Sequence, residues 1–298
     1  MSGQRSGRWS GRWSALTLTG LGMVAAFALV AVLAPLLAPH DPRALSGDSL
    51  ELPSARHLLG TNDIGQDNFS QIIWGTRSSL GVAVSAASLA ITIGVLLGVG
   101  AGLVGGWPDI LLMRSIDLFM AMPILPLLMM IAALAGSSSA VLIVVIGMLA
   151  WPFTARILRS QTLTLRQRGF IGAAAGFGAS PLYVIRRHLV PALGPIIITG
   201  FVSIAGVAVI LDAGLAFLGL GDPTGVSWGL VLNRALRRPG LYFTPLWTWS
   251  VLPAGFAITL AILALTFVGI GLETRLNPRL ARAKGPNRPR RQPRQGAH

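Results

Sequence analysis

The chain has 298 residues, 53% of them hydrophobic and only 11% charged, with a mean hydropathy of +0.67. An ordinary soluble domain carries about 25% charged residues, so a water-soluble globule is excluded and a polytopic membrane protein is implied. The absence of cysteine removes disulfides, thiolate metal sites and a cysteine nucleophile, and the formal net charge of +14 is spread along the chain rather than gathered into a groove-sized patch, which argues against nucleic acid.

A helical span needs about 20 mostly apolar residues. Residues 1–14 are a short basic segment, and 15–37 form a first span without a charge. That run exceeds the apolar core of a secretory signal, about 7–15 residues, and no small-x-small site follows it, so it reads as a retained helix. A loop over 38–77 follows, containing Gly60, Thr61, Asn62, Asp63, Gly65 and Asp67. Its acids suggest a calcium loop at first sight, but the alternating acids and terminal glutamate of an EF-hand are missing. Turn chemistry, with Asp67 capping the next helix, accounts for the pattern.

Residues 78–278 read as a five-helix core. The second span covers 79–105. The uncharged stretch 118–155 is too long for one crossing, and Gly136-Ser137-Ser138-Ser139 breaks it into spans near 111–135 and 140–158. Met122-Pro123 and Trp151-Pro152 are expected to kink their helices. A fifth span runs over 193–218 with Asp212 inside it. The sixth covers 251–272, after Tyr242, Phe243, Trp247 and Trp249, which read as an interfacial belt. Residues 279–298 form a basic tail suited to anionic lipid headgroups.

With the N-terminus inside, the charges sort by side. Of the 24 lysines and arginines, only Arg43, Arg56, Arg77, Arg234, Arg237 and Arg238 fall in outer loops. The positive-inside rule therefore predicts both termini, and the loop over 159–192, in the cytoplasm. Asp117 is expected to pair with Arg114 at i,i+3. Asp212 is an intramembrane carboxylate, open between a pathway group, an arginine partner, a ligand for a substrate amine and a structural acid.

The 159–192 loop holds the segment of greatest interest. Phe170, Ala174 and Phe177 fall on one face of a short helix, with Ile171 beside them. Gly178 suits a left-handed C-cap, and Ser180-Pro181 restarts a helix expected to end before Pro191. Spacing alone leaves two uses open: docking a soluble partner, or lying flat on the inner leaflet.

Gly172-Ala173-Ala174, followed by Ala175-Gly176-Phe177-Gly178 and closed by His188-Leu189-Val190-Pro191, resembles the EAA loop of ABC-importer permeases. His57-Leu58-Leu59-Gly60-Thr61-Asn62-Asp63-Ile64-Gly65-Gln66-Asp67 resembles the signature HPLGTDDLGRD of their dipeptide/oligopeptide/nickel group. Gly105-Gly106-Trp107 through Arg114, Asp117 and Met122-Pro123, and Leu215-Ala216-Phe217-Leu218-Gly219-Leu220-Gly221, resemble two further runs of the same group, in its second permease subunit (the DppC or OppC type). The ordered matches cover residues 57–278. Gly172 stands where the family has a glutamate, and Gln66 where it has an arginine.

The resemblance implies an all-α fold of six transmembrane helices, the type I ABC-importer permease fold, in a bacterial or archaeal inner membrane. It implies ATP and Mg on separate ATPase subunits, one or two in kind, and no cofactor or metal on this chain, which has no GxxxxGK[ST] and whose only lysine is Lys284 in the tail. A second permease subunit, an extracytoplasmic solute-binding protein and membrane lipid complete the expected partners. Di- or oligopeptides are the implied solutes, with nickel or another small solute as the alternative within the group. A secondary carrier coupled to ions through Asp212 is the alternative outside it.

Overall fold

The computed structural model describes residues 14–276. The N-terminal arginines and the 279–298 tail lie outside the described residues. The elements are α1 (Ala15–Leu37), α2 (Asn68–Val104), α3 (Gly106–Ala121), α4 (Ile124–Ala135), α5 (Ser139–Arg166), α6 (Gly169–Gly176), α7 (Pro181–Val184), α8 (Val190–Phe217), α9 (Trp228–Leu236), α10 (Trp247–Ser250) and α11 (Leu252–Leu276). A π-turn, Ile185–Leu189, joins α7 to α8. The described residues form no strand beyond an isolated bridge between Thr61 and Asp67.

Among the described residues, five helices are long and apolar enough to cross a membrane: α1, α2, α5, the rod Pro181–Phe217 and the stretch Trp247–Glu273. The expected third span over 111–135 is not one helix. Its residues fall in α3 and α4, which bend by 85° at their junction and make a sixth span only when the pair is counted as one. Pro123 explains the break, since it offers no N–H and pushes the residue before it out of the helical region. Met122 is extended (φ −79°, ψ 135°). Trp151-Pro152, by contrast, lies inside the continuous helix α5.

Two further boundaries differ from expectation. Helix α2 starts at Asn68 rather than near 79, because Asp67 accepts the Ser70 N–H as its N-cap. The helix after Ser180-Pro181 does not end before Pro191. The ladder shifts into π register, with the Val190 N–H bonded to the Ile185 carbonyl, and Pro191 then sits in the first turn of α8, where its missing donor costs little.

Packing centres on α2, which lies against α5, α8 and α1. Gly94, Gly98 and Gly102 recur every fourth residue and turn toward α5. A Cβ on Gly98 would stand 2.9 Å from Ala155 Cα, and one on Gly102 2.9 Å from Thr162 Cβ. In lipid, helix association draws on such close backbone approach because tails are as apolar as leucine. Trp228, fully buried, ties α9 to α2: its Nε1 donates to the Ile72 carbonyl at 3.1 Å and its ring meets Phe27 of α1 edge-on.

Two ion pairs join α3 to α5. Asp109 is paired with Arg159, including a 2.6 Å bond from Nη2 to Oδ2, and Asp117 with Arg156. Asp117 therefore does not pair with Arg114. The helices bring an arginine from the neighbouring rod closer than the local i,i+3 neighbour.

Gly98→Leu is expected to lower the melting temperature of the purified protein sharply, overpacking in a filled interior costing about 1–3 kcal/mol or more. Gly100, on the same helix with nothing within 4 Å of a built Cβ, is the control: Gly100→Ala leaves the transition in place or raises it.

Candidate functional site

Two regions assemble most of the singled-out residues: the 38–67 loop at the start of α2, and the elbow formed by α6 and α7. The loop is polar and tightly closed. Gly60 and Gly65 have φ of +60° and +85°, and a Cβ on either would strike a backbone carbonyl, of Glu51 and Gly47 respectively. Both conformation and space thus demand glycine. The Thr61 hydroxyl donates to the Asp48 carbonyl and accepts from the Glu51 N–H at 2.8 Å. Asp63 is exposed and contributes through its carbonyl, which accepts from the Ser49 hydroxyl at 2.7 Å.

Asp67 is buried and does more than cap. Its Oδ2 accepts from the Ser70 N–H at 2.8 Å, while its Oδ1 lies 3.0 Å from Nδ1 of the fully buried His57. His40 stacks on His57 with ring centroids 4.7 Å apart. Gln66, where the resemblance expects arginine, is the hub of the loop. Its Oε1 accepts from Asn62, Gln71 and Arg234, the last at 3.1 Å, and its Nε2 donates to the Arg43 carbonyl.

The elbow is anchored on one side and open on the other. Ile171 of α6, Val184 of α7, and Leu189 pack into one cluster with Val99 of α2, Leu158 of α5 and Leu193 of α8. Phe170 is half-exposed beside the His188 ring, which also meets Tyr183. Phe177 lies past the end of α6 and is 92% exposed. The three residues Phe170, Ala174 and Phe177 are therefore not one packed face; Ile171 is the inward residue, and the phenylalanines are on the open side. Gly178 has φ +82° and Ser180 accepts the Tyr183 N–H at 3.3 Å, as the capping pattern predicts. Gly172, Ala173, Phe177 and Gly178 are all exposed.

Asp212 of α8 is only 3% exposed. Among the described residues it has no arginine partner, and although Ser79 of α2 sits beside it, neither Asp212 Oδ2 nor Ser79 Oγ makes a hydrogen bond of ordinary geometry. Its side chain is buried within the packing of this chain.

Sequence reasoning missed Asp222. It fastens the α8–α9 loop to the start of α5, accepting from the Ser139 N–H and hydroxyl at 3.2 and 3.0 Å and from Thr224 at 3.0 and 2.7 Å. Burial works against its ionisation, but the hydrogen bonds from Thr224 and Ser139 outweigh it and hold the carboxyl below the usual range. Only the local Asp-Pro-Thr-Gly turn was visible in sequence; Ser139 is 83 residues away.

The chain matches the family described as "Binding-protein-dependent transport system inner membrane component" over residues 90–282. A protein named as a peptide permease in Brucella suis biovar 1 (strain 1330) is 38% identical over 248 residues, 82% of this chain and 81% of that one. The dipeptide transport system permease protein DppC of Alkalihalophilus pseudofirmus is 35% identical, over 89% of this chain and 86% of that one. The nickel transport system permease protein NikC of Escherichia coli K12 is 34% identical, over 87% and 92%.

Two outcomes are expected from the geometry. Asp222→Ala lowers the melting temperature at neutral pH. Because the folded carboxyl titrates below the ordinary aspartate range, its contribution is present above that range and is lost as pH falls through the folded value, so the gap between variant and parent closes in acid. Gly172→Ala, at an exposed helical position with nothing within 4 Å of a built Cβ, is tolerated and raises the melting temperature, alanine exceeding glycine by up to about 1 kcal/mol in helix propensity.

With its apolar crossings, the broken α3–α4 pair and the family match over most of the helical core, this chain belongs to the inner membrane components of binding-protein-dependent transport systems.

Proposed function

We propose that the chain forms one of the two membrane halves of an ATP-driven peptide importer. In this reading both termini and the elbow face the cytoplasm, where separate ATPase subunits dock, and the 38–67 loop faces the binding protein that delivers the solute. The observation that carries it is the elbow: a rigid apolar base formed by Ile171, Val184 and Leu189 carries an open tip of small residues and the exposed Phe177. Small residues let a partner's surface approach closely, while an exposed aromatic inserts into a pocket. Ile171 and Val184 turn into the protein and fix the elbow on the helices, which leaves Phe170, Phe177 and Leu182 on the outward face for a partner.

Driving force then comes from the partners. ATP, with Mg, binds the closed form of the paired ATPases better than the open form, and that difference in affinity biases the membrane halves between inward and outward access. This chain supplies the lever and half of the path, without a nucleotide site of its own. Di- or oligopeptides are the favoured solutes, in line with the peptide and dipeptide permeases among its relatives; the nickel permease keeps a chelated metal as the second solute class. The binding protein makes the finer selection.

The test is reconstitution of the chain with its companion permease, ATPases and binding protein in proteoliposomes. Phe177→Asp is expected to bring ATP-dependent uptake of a labelled dipeptide to background while membrane insertion and melting temperature stay at parental values. Unchanged uptake would remove the docking role of the elbow, and uptake driven by an ion gradient without ATP would replace the importer by an ion-coupled carrier.

A further inference from the structure

We propose that His40, His57 and Asp67 form a binding site for a divalent transition-metal ion of the zinc type, which fastens the 38–67 loop to the outer end of α2. One ligand atom from each of the three lies within 4.8 Å of the others. Nδ1 of His57 is 3.0 Å from Asp67 Oδ1, and Nδ1 of His40 is 3.9 Å from Asp67 Oδ2. Zinc with bonds of about 2.0–2.1 Å to nitrogen and oxygen holds its ligand atoms roughly 3.4 Å apart in a tetrahedron. The two separations to the Asp67 carboxylate bracket that spacing, and the third is within 4.8 Å.

Three features separate this cluster from an ordinary capping network. First, Nδ1 of His40 is buried without a hydrogen-bond partner, although it faces the Asp67 carboxylate. A bare imidazole nitrogen in such a place is costly unless something binds it. Second, Nε2 of His57 is likewise buried and unpartnered, on a side chain with no exposed surface, and Glu51 Oε2 stands 3.7 Å away. A metal-bound histidine typically donates its second ring N–H to a carboxylate, which fixes the tautomer and strengthens the ligand; Glu51 is placed for that role. Third, the ion has a way in. His40 also borders an open cavity of about 820 Å³ lined by Asp41, Arg77, Ser139 and Asp222 among others, which gives an ion a path to its side chain.

The ligand set decides the ion class. Two imidazoles with one carboxylate suit zinc and its neighbours rather than calcium or magnesium, which prefer all-oxygen shells. The Asp67 carboxylate also offsets the positive end of α2, which on its own would repel a cation.

The experiment uses the full-length, untagged chain in lipid nanodiscs, dialysed against Zn2+ and free of nucleotide and solute, so its outcome is independent of the importer reading. One Zn2+ per chain is expected to bind saturably. His40→Gln changes a partly exposed side chain and is expected to weaken binding at least tenfold. Glu51→Gln weakens it about 10–100-fold, the effect typical of a carboxylate behind a metal-bound histidine. His188→Gln, in the elbow, leaves it unchanged. Substituting Co2+ gives visible absorption of tetrahedral character that His40→Gln abolishes. Equal Zn2+ uptake by the parent and His40→Gln, or no saturable uptake by the parent with all variants folded by their melting curves, would overturn the site.

Discussion

The close approach of α2 and α5 along Gly94, Gly98 and Gly102 is the contact on which the rest of the molecule depends. With backbones this near, Ala155, Thr154 and Thr162 fill the space that side chains on α2 would otherwise occupy. Two consequences follow along α5. Its Arg156 and Arg159 are held where they reach Asp117 and Asp109, which fixes α3. Its Leu158, with Val99 of α2, forms the floor on which Ile171, Val184 and Leu189 set the elbow. A chain of packing thus runs from a glycine pattern in sequence to the position of the proposed docking surface. Desolvation in the bilayer does not drive it; the shape of the helix surfaces does.

Helix α2 also explains why both candidate regions lie where they do. Its 37 residues span about 55 Å at 1.5 Å per residue, well beyond the ~30 Å of a hydrocarbon core. The excess is polar. Ser70, Gln71 and Thr76 are buried, but against the 38–67 loop or neighbouring helices rather than lipid, and Gln71 donates to the Pro42 carbonyl. The loop is therefore a polar collar that satisfies the protruding turns, and Asp67 sits where collar and helix meet. At the opposite end Gly105 and Gly106 reverse the chain with φ of +69° and +63°, next to the elbow's floor.

Local chemistry was legible in the sequence, and long-range chemistry was not. The caps at Asp67 and Ser180, the αL turn at Gly178 and the break at Gly136 follow from residues within a few positions of one another. The length of α2 was underestimated because its first turns are polar, and a hydropathy window ends where apolarity ends, whereas a buried polar turn continues the helix. The 85° bend at Met122-Pro123 exceeds a kink because Pro123 begins a new helix instead of interrupting an old one. Asp117 was given its nearest basic neighbour in sequence, but Arg156 meets it across 39 residues. The pairing of Gln66 with Arg234 spans 168 residues, and the meeting of His40 with His57 and Asp67 depends on how the loop folds back. No periodicity encodes such encounters.

The two departures from the family pattern have different physical settings. At position 66 the guanidinium is not lost from the region: Arg234 brings one from α9 to the Gln66 carbonyl oxygen, while Gln66 Nε2 still reaches the Arg43 carbonyl. A second guanidinium at 66 would face Arg234 at close range, so glutamine and Arg234 form a self-consistent pair. At position 172 nothing within the subunit fills the gap. The residue is exposed and a side chain there meets open space, so packing in this chain neither excludes a glutamate nor replaces one. In the importer reading, the face that meets this tip belongs to the ATPase. The coupling surface of such a partner is expected to differ from that of a relative that meets a glutamate, in its charge more than its shape.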